Sequence, residues 1–107
     1  LYVHINVTSN KVNNMSIQDV ANAFVSGQRG ASHNSKTDGQ SYWLHGNKIA
    51  EKGTGGSVII NWCGWYSVTT ANHLNHIAVA CKVGHRFSRK IARDNNSSTE
   101  ILHNGLT

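Results

Sequence analysis

The residues in this chain best able to do chemistry are five cations, Lys82, Arg86, Arg89, Lys90 and Arg93. They are half of all the Lys and Arg, set within twelve positions that hold no acidic residue. Crowded like charges repel, so such a run is either a solvated edge strand guarded against pairing with another chain or a surface that meets phosphates. Ten Lys and Arg against five Asp and Glu leave a net charge of +5. That balance favours polyanionic partners, either nucleic acid or an acidic or nucleic-acid-binding protein, although charge also serves solubility alone. Arg29, in a polar Gly-rich stretch, and Trp65, beside Gly64, complete the set of candidate binding residues. An exposed Trp offers a contact surface or a platform on which a base can stack.

Histidine supplies the second constellation. His73 and His76 lie one helical turn apart, with Cys81 and His85 downstream, and a set of this kind could hold zinc. Cys81, however, falls on an apolar stripe that excludes both His, and the spacing matches no common zinc finger. No metal and no cofactor are therefore expected, with His73, His76 and His85 the residues to watch. Cys63 and Cys81 could bridge a strand to a helix, or, in a reducing compartment, serve as small core residues. Catalysis finds little support. Asp19, Asp38, Glu51, Asp94 and Glu100 are scattered, and no nucleophile motif, phosphate loop or paired carboxylate is present. A metal-free nuclease using two His and a Lys is the one enzymatic alternative.

The elements that must position these residues can be read from period and punctuation. Val3, Ile5 and Val7 alternate with polar neighbours, the pattern of a half-buried strand. Ser16 caps a helix whose first turn holds Asp19 and whose stripe is Ile17, Val20, Ala21, Phe24 and Val25, and Gly27 closes it. Residues 27–40 are polar, Gly-rich and without period, and read as a mobile surface loop. Residues 42–45 and 48–52 read as a hairpin around Gly46-Asn47, pairing Leu44 with Ile49 and Trp43 with Ala50. Residues 53–56 reverse the chain into 57–63, the most apolar strand.

Thr70 is placed to cap a second helix over 71–81, docked through Leu74, Ile77, Ala78 and Cys81. His73 and His76 would then face outward. Beyond Gly84 the basic run reads as a strand with Phe87 and Ile91 turned inward, Arg86 and Lys90 outward, and Arg89 and Arg93 on the buried-side parity. Residues 99–103 return antiparallel, and 104–107 fray. The sum is a single α+β domain over residues 1–107, an antiparallel sheet of short strands with two helices packed on one face, in the order β-α-β-β-β-α-β-β.

Two segments carry a resemblance. Tyr42-Trp43-Leu44-His45-Gly46-Asn47-Lys48-Ile49-Ala50, followed by Gly64-Trp65, Thr69-Thr70 and Leu74-Asn75, resembles small bacteriophage accessory proteins in which an LHGN-x-IA hairpin precedes GW, TT and LN pairs. The likeness spans residues 42–77 and implies a phage protein working in the cytoplasm of a bacterial host. No apolar run is long enough to span a bilayer and no signal-peptide pattern opens the chain, which agrees with that location and with no membrane partner. The leading expectation is a non-enzymatic module contacting nucleic acid or a nucleic-acid-handling complex. The alternative is a protein-directed inhibitor of a host or anti-phage defence enzyme, of the anti-CRISPR or anti-restriction type.

Overall fold

The computed structural model describes residues 15–103. The strand expected over 3–7 and the frayed end expected over 104–107 lie outside the described residues.

Helix α1, Ile17–Ser26, forms as its caps dictate. The Ser16 hydroxyl accepts the Asp19 N–H at 3.1 Å, and Gly27 closes the helix in the left-handed region at φ 77°. Val20, Ala21, Ala23 and Phe24 form its buried face. Six antiparallel strands follow in spatial order identical to chain order: β1 (Gly30–Ala31), β2 (Ser35–Thr37), β3 (Ser41–Leu44), β4 (Asn47–Lys52), β5 (Ser57–Asn61) and β6 (Thr99–His103). Between β5 and β6 the chain leaves the sheet to build α2 (Val68–Ala80) and the short α3 (Arg89–Asp94). Helices α1 and α2 pack against each other and against the sheet, α1 on β1–β3 and α2 on β4. The core between the layers is Val20, Phe24, Tyr42, Ile49, Val58, Ile60, Trp62, Leu74 and Ile77, all buried. This is the α+β class that the patterning predicts.

Four local expectations are corrected. Residues 27–40 contain β1 and β2, which apolar period did not announce because their turns are closed by polar side chains. Thr37 Oγ1 donates to the Ser41 carbonyl at 2.6 Å and accepts the Gly39 N–H at 3.0 Å. The Asp38 carboxylate accepts the Gln40 and Ser41 N–H groups at 2.9 and 2.8 Å, and the N–H groups of Ser41 and Gln40 hold it below the usual carboxylate range. Gly39, at φ 90°, leaves no room for a side chain, because a Cβ there would stand 2.6 Å from the Gly27 backbone.

The β3–β4 turn is His45-Gly46, at φ 50° and 82°, one residue earlier than Gly46-Asn47. Leu44 therefore pairs with Asn47, Trp43 with Lys48 and Tyr42 with Ala50. A bulge between the last two pairs brings both Ile49 and Ala50 into the core. Helix α2 starts at Val68 on a Ser67 cap, whose hydroxyl accepts the Thr70 N–H at 3.1 Å, so Thr70 lies inside the helix. The basic segment is not a strand. Ser88 caps α3, Phe87 and Ala92 are buried, and Ile91 is exposed, so Phe87 and Ile91 share no inward face. Strand β6 pairs with β5 instead, matching Ile101 to Ile59 and Leu102 to Val58.

Phe24→Ala and Leu74→Ala, both at sites with no solvent exposure, should each cost about 2–5 kcal/mol in urea unfolding. Val79→Ala, on the exposed side of α2, should change stability by less than about 0.5 kcal/mol. Similar losses at all three positions would contradict this assignment of the core.

Candidate functional site

The cationic segment is held to the fold from behind. On α2, the Asn75 amide grips the Phe87 backbone at both ends, with Nδ2 donating to the carbonyl at 3.1 Å and Oδ1 accepting the N–H at 2.6 Å. The Phe87 ring stands edge-on to Trp62 with centroids 6.4 Å apart. With Phe87 and Ala92 turned in, Arg86, Arg89, Lys90 and Arg93 all lie exposed. About 100° per residue puts Arg89, Lys90 and Arg93 on one arc of α3. Arg89 and Lys90 occupy the first turn, where the positive end of the helix adds to their field rather than neutralising it. Arg93 meets Asp94 at 3.7 Å in an exposed pair that contributes little.

The other candidate residues sit elsewhere. Lys82, at φ 58°, borders the groove between α1 and α2 with Gln18 and Asn22. Arg29 is exposed after α1, close enough to Asp38 to help lower its pKa. Trp65 is 63% exposed, as its place beside Gly64 predicts.

The histidines go to three separate places. His73 does not face outward; it is 2% exposed and shares a 2.7 Å hydrogen bond between its Nδ1 and the Tyr42 hydroxyl. His76 is half-buried against α1, where its Nδ1 lies 2.7 Å from Gln18 Oε1. His85 packs edge-on to Phe87 and lies 3.8 Å from Glu100, whose carboxylate also accepts the Trp62 indole N–H at 3.0 Å. Burial, with His76 and His45 near by, lowers the His73 pKa to about 4, so the imidazole is neutral near pH 7. Burial likewise pushes Tyr42 up to about 12, opposed by the nearby Ser35 hydroxyl. Cys63 and Cys81 are free thiols, and burial raises the pKa of both, which suits packing rather than nucleophilic attack.

Residues that chemistry-based reading did not combine meet around a cavity of about 510 Å³. Leu44, Ile49 and Trp62 supply apolar walls, and His45, Asn47, Cys63, Ser67, Thr69 and Thr70 supply polar ones, with Trp65 at the lip. The β3–β4 hairpin brings Leu44, His45, Asn47 and Ile49, and the chain from the end of β5 into α2 brings the rest. Cys63 adopts φ 56°, held there by its N–H to Asn61 Oδ1 at 2.8 Å and its thiol to the Lys48 carbonyl at 3.1 Å. The legible signal was the two segments 44–50 and 64–70, quoted above as one pattern, which the fold places on opposite walls.

The family model described as Kyanoviridae Gp96 protein matches residues 7–105. The chain belongs to that family. It is a small phage protein, and the match takes in the cationic segment and β6 as well as the cavity. No curated protein and no solved structure matches it. Among the described residues of this Gp96 family member, no helix is long and apolar enough to cross a membrane.

The buried histidine makes stability depend on pH. Unfolded, His73 takes up a proton near pH 6.5; folded, only near 4. Its contribution is complete above pH 6.5 and is lost as pH falls to 4, up to about 3 kcal/mol. Urea unfolding of wild type and His73→Gln across that window should show a shallower pH slope in the variant. Parallel slopes would mean that another group carries the acid sensitivity.

Proposed function

We propose that this phage protein is a non-enzymatic binding module that contacts nucleic acid, or a complex that handles it, in the infected bacterial cell. The observation that carries this reading is the display of Arg86, Arg89, Lys90 and Arg93 on a capped, anchored loop and helix, with Asp94 the one acid ion-paired to them among the described residues. Guarding a sheet edge does not account for these charges, because the segment forms no strand. Nor does helix stability, since cations in the first turn oppose the dipole. A row of phosphates relieves both the mutual repulsion and the clash with the helix end.

A second reading has its own support. Trp65 and Val68, 63% and 67% exposed, stand close together at the start of α2, and an exposed Trp is a common anchor for a protein partner. An inhibitor of a host or defence enzyme with an acidic surface would use the same cations and that anchor.

Fluorescence anisotropy with labelled DNA and RNA across a salt series separates the two. Nucleic-acid binding should weaken with salt at a slope of roughly −0.7 to −0.9 per phosphate contact, and Arg89→Ala with Lys90→Ala should flatten it by nearly two units. Lys36→Ala with Lys48→Ala, on the open face of the sheet, should leave it unchanged. Absence of binding at low salt would overturn the nucleic-acid reading. Capture of a host protein by wild type, lost in the Arg89/Lys90 variant, would then establish the inhibitor.

A further inference from the structure

The cavity beside Trp65 has a chemistry different from the cationic segment. We propose that it accepts an uncharged planar nitrogen heterocycle, namely a nucleobase splayed from a single strand whose phosphates lie on the cationic segment. The inference rests on the nucleic-acid reading above for the source of the base, but on separate residues for its recognition.

Three observations carry it. None of the ten lining residues is Lys, Arg, Asp or Glu, so the wall holds no permanent charge to neutralise a phosphate or a carboxylate. The walls nonetheless combine Leu44, Ile49 and Trp62 with the Asn47 amide and the Thr69 hydroxyl. That mixture suits a flat ring with donors and acceptors on its edge; a hydrocarbon chain would leave those polar groups facing it without partners. Third, Trp65 stands largely exposed at the lip, and its backbone N–H is fixed to the Trp62 carbonyl at 2.9 Å, so the indole is a ready stacking surface on an anchored turn. The strained Cys63 backbone, pinned by Asn61 and Lys48, shapes this wall, and conformations of that kind persist where surrounding contacts over-determine them.

Geometry also connects the two surfaces. The Trp62 side chain forms part of the cavity wall and also packs on Phe87, the residue from which the cationic loop and α3 are suspended. A base held in a duplex remains stacked and paired, whereas a single strand can turn a base aside while its backbone stays on the cations.

Heteronuclear NMR on the intact protein provides the test, with uncharged nucleosides as probes. Saturable shifts of the Trp65 indole and of the Cys63, Gly64 and Thr69 amides are expected, insensitive to salt and unchanged by Arg89→Ala with Lys90→Ala. Trp65→Ala should weaken nucleoside binding about ten-fold or more, with Trp65→Phe restoring part of it. Single-stranded oligonucleotide should lose affinity by a similar factor in Trp65→Ala at an unchanged salt slope, and an abasic oligonucleotide should bind wild type no better than the variant. If Trp65→Ala and abasic substitution leave strand binding intact, the inference is overturned while the phosphate reading survives. If nucleosides bind and no strand does, the cavity is a site for a free nucleoside, and the phosphate reading falls instead. Shifts from N-acetyltryptophanamide without any from nucleosides would overturn the inference in favour of an aromatic side chain from a protein partner.

Discussion

Trp62 is fully buried, and the second half of the molecule is arranged around its ring. Tyr66 stacks on it with centroids 5.7 Å apart, Phe87 meets it edge-on, and Glu100 on β6 accepts its indole N–H. One side chain thus ties the end of β5 to the turn into α2, the loop before α3 and the returning edge strand. A ring of this size offers a large apolar surface and one polar atom, so its neighbours must cover the first and pair the second. The excursion of nearly forty residues between β5 and β6 closes over it, and that closure is what holds the cationic segment in place.

The first half depends on a different constraint, the burial of polar groups between α1, α2 and the sheet. Tyr42 and His73 satisfy each other inside the core, and Gln18 and His76 do so at the seam between the helices. Among the described residues no buried side-chain polar atom lacks a partner. Such pairs add little net stability, but leaving one member alone costs about 1–3 kcal/mol. They therefore penalise any slip of α2 along α1 more strongly than apolar contacts, which tolerate sliding. The wall that α2 contributes to the cavity inherits that register.

Charge and cavity are separated in the finished molecule. The cations of α3 gather outside, while the concavity next to Trp65 has no acidic side chain, Lys or Arg in its wall. A polymer with charged links and uncharged planar side groups would match both surfaces at once. This correspondence links the proposed function to the proposed occupant of the cavity.

Local chemistry in the sequence determined much of this arrangement. The Ser16 cap, Gly27 and the stripe through Val20 and Phe24 define α1 because each signal concerns residues within one turn of one another. The apolar run at 57–63, of which 57–61 form β5, the reversal at 53–56 and the Leu74-Ile77-Ala78-Cys81 stripe were legible for the same reason. Tertiary structure decided what local period left ambiguous. His73 turns inward because α1 lies beside α2 and widens its buried arc to take in Thr70 and His73; the three- and four-residue spacings Thr70-His73-Ile77 allowed this without requiring it. The cationic run becomes a loop and a six-residue helix because Asn75 and Trp62 claim Phe87, and a segment so short has no dominant period of its own. The resemblance named both segments of the cavity, but nothing local in either says that they meet: its walls come from stretches about twenty residues apart, and only the packing of the hairpin against the start of α2 brings them together.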